Sequence, residues 1–216
     1  MLEILINKED DKKNIALVEN GRLVEYHMDE ENSNRNEGNI YVGVVKNIIK
    51  GMQAAFVDIG TEKNSFIHLK DILDKIDEKN LENIINNNDK INITDVIKEG
   101  QKLLVQVRKD SNIQKGARVS THINLPSKYI ALMPNTDIIT VSQKIEDKKE
   151  QERLIKLVKE NLSSENGAII RTSAEGKEQE IIEDIKNIEK RWKEIKAKFK
   201  NNKDSKPKLI EKANGI

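Results

Sequence analysis

Aromatic side chains that could stack on nucleic-acid bases are concentrated in residues 38–70. Phe56 and Phe66, two of the three phenylalanines, fall on neighbouring apolar runs, and His68 follows Phe66 on the same strand face. Exposed rings on a barrel bind single strands at about 1–3 kcal/mol per base. The pattern indicates single-stranded nucleic acid, and it leaves open that both phenylalanines fill the core and that His68 is a surface histidine. Basic residues that could contact phosphates are Lys46, Lys115 and Arg118.

A second group that could bind phosphate is the pair Arg171 and Thr172, at the end of the apolar run in GAIIRTSAEG. A guanidinium fork, a hydroxyl and the backbone amides of the following turn are suitable donors for a phosphate. From these residues alone, a solvent-facing strand end is the favoured interpretation.

Residues for hydrolysis are not apparent in the sequence. Metal-dependent cleavage of a phosphodiester needs carboxylates clustered on rigid strand ends, and here the acidic residues fall on expected helices and loops. Asp58 ends a predicted strand without an acidic partner in sequence. There is no Ser/His/Asp, HExxH or P-loop pattern, and the lack of cysteine excludes disulfides and thiolate metal sites. We therefore expect no catalytic residue and no metal ligand in this chain.

The charge balance limits how nucleic acid could be bound. Lys and Arg number 38 against 37 Asp and Glu, a net charge of +1 over 216 residues. Any affinity for nucleic acid must therefore come from local patches. No signal peptide or transmembrane segment is apparent, and a cytoplasmic location is expected.

The elements that position the aromatic residues read as strands. Residues 40–49, 53–58 and 65–69 are short β-branched runs divided by Gly-centred turns, and two further runs follow at 102–109 and 118–123. Five such strands predict a closed OB barrel. Between the third and fourth lies an Asn-rich insertion, residues 71–98, read as short helical turns or as a low-complexity loop.

The flanking segments predict an α+β chain. Three antiparallel strands open it, with Asn20-Gly21 as a hairpin signal. After the barrel come strands near 129–133 and 168–172, and helices near 146–162 and 178–200. The last helix has a narrow apolar stripe, which favours packing on its own sheet over a coiled coil.

Several segments, in this order, resemble the amino-terminal part of the bacterial ribonuclease E/G family over residues 2–192. They are EILIN, ALVENGRLVEYHMD, GNIYVGVVKNIIKGMQAAFVDIG, SFIHLKDI, LLVQVRKD, KGARVSTHINLPSKYIALMP, VSQKIED and IIRTSAEG. The resemblance implies the first part of an incomplete RNase H-like subdomain (1–36), an inserted OB-fold RNA-binding domain (37–122), a mixed α/β 5′-sensor region with a long C-terminal helix (123–205) and the start of a truncated segment (206–216).

The resemblance also implies roles for individual residues. RNA would stack on Phe56 and Phe66, with Lys115 as the basic contact of the barrel. A 5′-monophosphate would be gripped by Arg171 and Thr172, which reverses the interpretation from the residues alone. Other members of the expected phosphate pocket are Ser127, where the family has a small glycine, Ala131, and Lys144, which follows Gln143 where many members have paired basic residues.

The family is a magnesium-dependent endoribonuclease, and its Mg²⁺ ligands lie in a later subdomain. The chain is therefore expected to be catalytically incomplete, and the family also allows a homo-oligomer. The expected partner is single-stranded RNA, preferably with a 5′-monophosphate. Two alternatives remain open: a standalone OB-fold RNA-binding module without nuclease activity, and a ribosome- or polymerase-associated OB protein that ignores RNA ends.

Overall fold

The structure is a computed structural model that describes residues 1–9, 12–30, 36–72, 91–112, 114–204 and 206–213. The described residues form an α+β fold, as predicted, and divide into two compact units, Met1–Arg35 and Asn36–Ile216. In the part of the chain that is described, no helix has the length and apolar character needed to cross a membrane.

Unit 1 is a three-stranded antiparallel sheet in the order β1-β2-β3. Its predicted hairpin turn is confirmed, because Asn20 and Gly21 both have positive φ, at 51° and 77°, as a two-residue type I′ turn requires. The strands are β1 (Leu2–Glu9), β2 (Lys12–Glu19) and β3 (Arg22–Glu30).

The first part of unit 2 is a closed barrel of five strands, which confirms the predicted OB fold. The strands follow one another in the order β4-β5-β6-β8-β7, and β7 pairs with β4 to close the sheet. Their bounds are β4 (Ile40–Ile49), β5 (Ala54–Asp58), β6 (Ser65–His68), β7 (Lys102–Lys109) and β8 (Arg118–Ser120).

The barrel interior is filled by alternate residues of these strands, such as Val57, Ile67 and Val105, which are all fully buried. A short helix, α1 (Ile93–Val96), adds two buried isoleucines, Ile93 and Ile97, to the same core. Helix α1 agrees with the prediction of short helical turns within the insertion 71–98. Residues 73–90 of that insertion lie outside the described residues.

A second sheet follows the barrel, with strand order β11-β12-β10-β9. Strand β12 is antiparallel to β10 and parallel to β11, so the chain after β12 emerges beside the end of β11. The strands are β9 (Leu125–Pro126), β10 (Ile130–Pro134), β11 (Ile139–Val141) and β12 (Asn166–Ile170), and the helices are α2 (Lys148–Asn161) and α3 (Gln179–Asn201).

Helix α3 packs on its own sheet, as the sequence favoured. Its apolar stripe is buried in one core with residues of β10 and β12. A last strand, β13 (Lys208–Glu211), pairs antiparallel with β4 of the barrel and was not predicted. The buried stripe of α3 consists of Ile181, Ile185, Ile188, Trp192 and Ile195.

Candidate nucleic-acid interface

An aromatic pair lies on the outer face of the barrel. Phe56 of β5 and Phe66 of β6 are directly opposite in the antiparallel register, with ring centroids 6.3 Å apart and ring planes at 72°. Phe56 is 38% exposed and Phe66 is half-buried, while the alternate residues Val57 and Ile67 fill the core. The alternative that both phenylalanines are core residues is therefore wrong. The edge-to-face geometry is one that aromatic pairs prefer, and it leaves ring surface open to solvent.

Basic side chains border a cleft that begins at this aromatic pair. The cleft has a volume of about 640 Å³, and its wall includes Lys109, Lys115 and Arg118. Arg118 of β8 lies beside Phe66 in the parallel register of β6 and β8. Bases and phosphates could therefore be contacted within one cleft.

The wall formed by the loop after β7 depends on a close backbone approach. The Lys115 amide donates to Asn112 Oδ1 at 2.7 Å, which turns the loop back toward β6. At Gly116, an added Cβ atom would lie 1.9 Å from the carbonyl oxygen of Asn64. Only glycine allows the chain to pass there, so Gly116 holds Lys115 next to the aromatic strands.

The charge of Arg118 is offset by an ion pair with Asp71. Its guanidinium binds the Asp71 carboxylate through two nitrogens, with Nη2 at 2.9 Å and Nε at 3.2 Å from Oδ2. A fork of this kind fixes the side chain and offsets its charge. The positive charge of the cleft that has no ion-pair partner among the described residues therefore comes from Lys109 and Lys115, while Asp110 also lines the cleft.

Two predicted contacts lie away from the lining of the cleft. Lys46 is at a bulge of β4, and its Nζ pairs with Asp58 Oδ2 at 3.5 Å. His68 Nδ1 accepts a hydrogen bond from the Lys70 amide at 3.2 Å and so caps the turn after β6. Roles of these two residues in RNA binding stay predictions. Lys109, which was missed, ends β7 and pairs with Arg118 across the sheet; its position as the last residue of a predicted strand was the available signal.

Arg171 and Thr172 lie at the end of β12, as predicted. The Arg171 amide donates to the Tyr129 carbonyl at 2.8 Å, and its Nη1 donates to the Ser127 carbonyl at 2.6 Å. The hydroxyls of Thr172 and Ser142 are 3.1 Å apart. The adjacent residues Arg171 and Thr172 therefore contact two other segments, one through the Ser127 carbonyl and one through the Ser142 hydroxyl. We call these four residues the end pocket: Ser127, Ser142, Arg171 and Thr172.

The charge of Arg171 is not offset. The side chain is exposed, and among the described residues it forms no ion pair; its recorded hydrogen bond goes to a neutral carbonyl. That bond uses one of the five N–H groups of a guanidinium. The remaining donors, with the paired hydroxyls, are suited to an anion with several acceptor oxygens.

Helix α3 holds the wall of the end pocket through Asp184. Its Oδ2 accepts from the Tyr129 amide at 2.9 Å and lies 2.6 Å from the Ser127 hydroxyl. The Ser127 hydroxyl also lies 2.9 Å from the Ile130 carbonyl, so it can donate to either oxygen. The serine at this position thus adds a tether to α3.

The two remaining predicted pocket residues are less closely placed. Lys144 is exposed, and its amide is 3.4 Å from Ser142 Oγ, so its side chain starts beside the pocket. Ala131 of β10 lies opposite Ile169 of β12. It borders a separate groove of about 290 Å³, together with Gln106 and Pro126.

The turn after Thr172 is fastened to α2. Glu150 Oε1 accepts from the Gly176 amide at 2.8 Å, and Arg153 binds the same carboxylate at 2.7 Å. Arg153 Nη2 also donates to the Lys177 carbonyl at 2.9 Å. The hydrogen bond from Arg153, with that from Gly176, lowers the pKa of Glu150 to about 2. An ionised Glu150 therefore holds the turn at neutral pH.

Among the described residues, no group of three His, Asp or Glu side chains comes together that could hold a metal ion. The magnesium expected for the family does not fit any of these residues, and none is assigned to it. The arrangement is suited to binding: a stacking cleft with lysines, and a polar pocket with one free guanidinium.

Comparison with known proteins finds related families for both parts of unit 2. Residues 35–121 match the S1 RNA binding domain, and residues 124–216 match the Ribonuclease E/G family. Ribonuclease G of Escherichia coli (strain K12) is 38% identical over 203 residues, which cover 92% of this chain and 40% of that protein. Ribonuclease E of Buchnera aphidicola is 34% identical over 215 residues, which cover 97% of this chain and 21% of that protein. The chain thus spans about two fifths or less of the length of these relatives.

Proposed function

Since the chain belongs to the ribonuclease E/G family and carries an S1 RNA-binding domain, we propose that it is the RNA-binding and 5′-monophosphate-sensing part of an endoribonuclease. The enzyme would cleave single-stranded RNA in RNA processing and decay, in the cytoplasm. The observation that carries the sensing role is that Arg171, whose guanidinium has no ion pair among the described residues, directly precedes Thr172, whose hydroxyl pairs with that of Ser142.

In this proposal the barrel cleft supplies affinity. Bases stack on the exposed faces of Phe56 and Phe66, and Lys109 and Lys115 attract the backbone phosphates. None of these groups can distinguish one RNA end from another, because each contacts features that every nucleotide has.

The end pocket supplies the distinction. A 5′-monophosphate offers a double charge and several acceptor oxygens to Arg171 and the two hydroxyls, whereas a 5′-hydroxyl offers one neutral group. Hydrogen bonds to charged groups contribute about 1.5–3 kcal/mol, so loss of one corresponds to a change in affinity of about tenfold to a hundredfold or slightly more. Lys144 adds charge at the rim, and the Ser127 carbonyl holds the Arg171 guanidinium. Ala131 lines a separate groove, so its part in phosphate binding stays a prediction.

The described residues bind RNA in this proposal and take no part in cleavage. Magnesium dependence and the homo-oligomer stay predictions for the longer family enzyme. The rival function is an RNA-binding module without nuclease activity, and the experiment below also addresses it.

The test compares two short single-stranded RNAs of one sequence, with a 5′-monophosphate or a 5′-hydroxyl. Binding to the purified chain is measured for the wild type, for Thr172→Val, and for Thr140→Val as a matched control on the exposed part of β11. We expect a preference for the monophosphate that Thr172→Val removes and Thr140→Val leaves intact. Equal binding of both RNAs by the wild type would refute the sensing role and leave only the barrel function.

Magnesium is then added to the same complexes and the RNA is examined for cleavage. We expect intact RNA, since the described residues only bind. Cleavage that requires magnesium would show that this polypeptide is itself a nuclease and would contradict the division of roles.

A further inference from the structure

Helix α3 carries a row of lysines that the two sites do not use. Its members recur every three or four residues along one side of the helix, and all are exposed. They extend over about 21 Å of helix axis at 1.5 Å per residue. We call this row the lysine stripe, and it consists of Lys186, Lys190, Lys193, Lys196 and Lys200.

The charges of the stripe are not neutralised. Among the described residues, none of the five lysines pairs with a carboxylate, although Arg191 and Lys198 of the same helix both pair with Glu211, at 2.7 and 3.5 Å. Glu189 directs its carboxylate to the Ser163 amide at 3.0 Å and to Asn166 at 3.1 Å. Glu194 lies four residues after Lys190 without an ion pair to it.

The surrounding segment is strongly basic. Residues 186–208 contain ten Lys and Arg against three Asp and Glu, a net charge of +7, whereas the whole chain has +1. A concentrated charge of this kind raises the local concentration of polyanions and speeds their association. Although the net charge of the whole chain is close to zero, residues 186–208 therefore carry a local excess of positive charge that is suited to binding a polyanion.

The helix presents these lysines rigidly. Its opposite side, from Ile181 to Ile195, is buried in the core of unit 2, and Lys196 lies over the ring of Trp192, with Nζ 5.5 Å from the centroid. Helices that lie on membranes insert their apolar face into the lipid. In α3 the apolar face packs against its own sheet and cannot insert into lipid, so a membrane surface does not suit this helix as a partner.

We propose that the lysine stripe binds the phosphate backbone of RNA, as a third contact beyond the cleft and the end pocket. This inference rests on the proposed RNA-binding function. Lysine is a point charge without the planar fork of arginine, and the stripe has no exposed aromatic ring, so the contact would be independent of base sequence. It would engage RNA that extends past the barrel.

The experiment uses the full chain with four stripe lysines replaced, Lys186→Gln, Lys190→Gln, Lys193→Gln and Lys200→Gln. The control removes the same total charge from exposed lysines elsewhere in unit 2: Lys98→Gln, Lys148→Gln, Lys149→Gln and Lys159→Gln. Each protein is titrated with single-stranded RNAs of about 6 and about 30 nucleotides, one near the lower limit of an OB-fold site and one well beyond it. Binding is measured across a salt series, and thermal melting checks that all variants are folded.

Each phosphate contact on a single strand adds about −0.7 to the slope of log K against log salt concentration. If all four lysines contact phosphates, the slope for the long RNA should become less negative by up to about 3 in the stripe variant. At low salt we expect at least a tenfold loss of affinity for the long RNA. The short RNA should bind the stripe variant as it binds the wild type, and the control variant should match the wild type on both RNAs.

Equal loss in the stripe and control variants would overturn the inference, because only net charge would then matter. Unchanged binding of the long RNA by the stripe variant would also overturn it, while leaving the proposed function intact if the short RNA still binds. A wild type that binds neither RNA would overturn the proposed function together with the inference. A further arm measures binding to vesicles of anionic phospholipid. If the stripe variant loses binding to the vesicles and keeps its binding to both RNAs, the partner of the stripe is a membrane and the inference is overturned.

Discussion

The barrel cleft and the end pocket differ in the material from which each is built. The cleft is formed by ring faces and flexible lysines around about 640 Å³ of open space. In the end pocket, by contrast, the guanidinium is held by a carbonyl at 2.6 Å and the two hydroxyls lie 3.1 Å apart. The cleft therefore offers broad surfaces for contact, whereas the end pocket has one fixed set of donors.

Under the proposed function, this difference separates affinity from selection within one chain. Stacking and screened charge act on every nucleotide, so the cleft would set how tightly RNA is held. A fixed guanidinium acts on one phosphate, so the end pocket would set which RNA is preferred. Under the proposed function, variants of the cleft should change both RNAs equally, and variants of the pocket should change their ratio.

The largest effect is expected when the stacking surface is removed. Phe56→Ala with Phe66→Ala should lower affinity for both RNAs by about a hundredfold, since each stacked base contributes about 1–3 kcal/mol. Equilibrium titration measures the loss, and the preference for a 5′-monophosphate should stay. Tyr26→Ala, which removes an exposed ring from unit 1, is the control. A double variant that loses the preference along with the affinity would show that the two sites are not separable.

The cleft was largely predictable because its determinants are local. Short β-branched runs and glycine turns define the barrel strands, and alternation along β5 and β6 places Phe56 and Phe66 on one face. What the sequence left open was whether that face is inside or outside, which depends on the closure of the barrel by β7 and β4.

The end pocket was not predictable from local pattern, because its contacts join distant residues. Arg171 binds the Ser127 carbonyl across 44 residues, and Asp184 binds Ser127 across 57. Without those contacts the dipeptide Arg171-Thr172 reads as an ordinary strand end, and only the family resemblance assigned it to phosphate. Strand β13 was missed for a similar reason, since it is short and polar and becomes a strand by pairing with β4.

The charge of the end pocket can be tested by Arg171→Gln. We expect about a tenfold loss of affinity for the monophosphate RNA, which is the lower end of the range of about 1.5–3 kcal/mol for one charged hydrogen bond, and little change for the hydroxyl RNA. Arg171→Lys should recover part of the preference, because it restores charge without the planar fork. If both substitutions lower the affinities for the two RNAs equally, Arg171 contributes to the binding of any RNA, and the end pocket does not select the 5′-monophosphate.

A smaller effect, in the opposite direction, is expected from Asp71→Asn. Asp71 neutralises Arg118 at the edge of the cleft, so its substitution should release a cation and raise affinity for both RNAs a few-fold at low salt. The gain should fade as salt is added, since exposed charges are screened. It should also vanish in an Arg118→Gln background, and a gain that persists there would have another cause.

The smallest effect concerns the contacts by which Glu150 of α2 fastens the turn after Thr172. The folded-state pKa of Glu150 is lowered from 4.5 to about 2, so its ionised form stabilises the fold above about pH 4.5. That contribution is lost as the pH falls through this window toward 2. Glu150→Gln should lower the melting temperature at pH 6 by about 2–4 °C, the shift that about 1 kcal/mol produces in a chain of this size.

The difference in melting temperature between wild type and Glu150→Gln should therefore disappear as the pH falls from about 4.5 to about 2. Glu152→Gln, an exposed substitution on the same helix, is the control and should show no such pH-dependent gap. Since Glu150 fastens the turn that follows Thr172, its loss should also weaken the monophosphate preference at neutral pH and leave hydroxyl RNA unaffected. A gap that stays constant with pH would mean that the Gly176 and Arg153 contacts do not depend on the charge of Glu150.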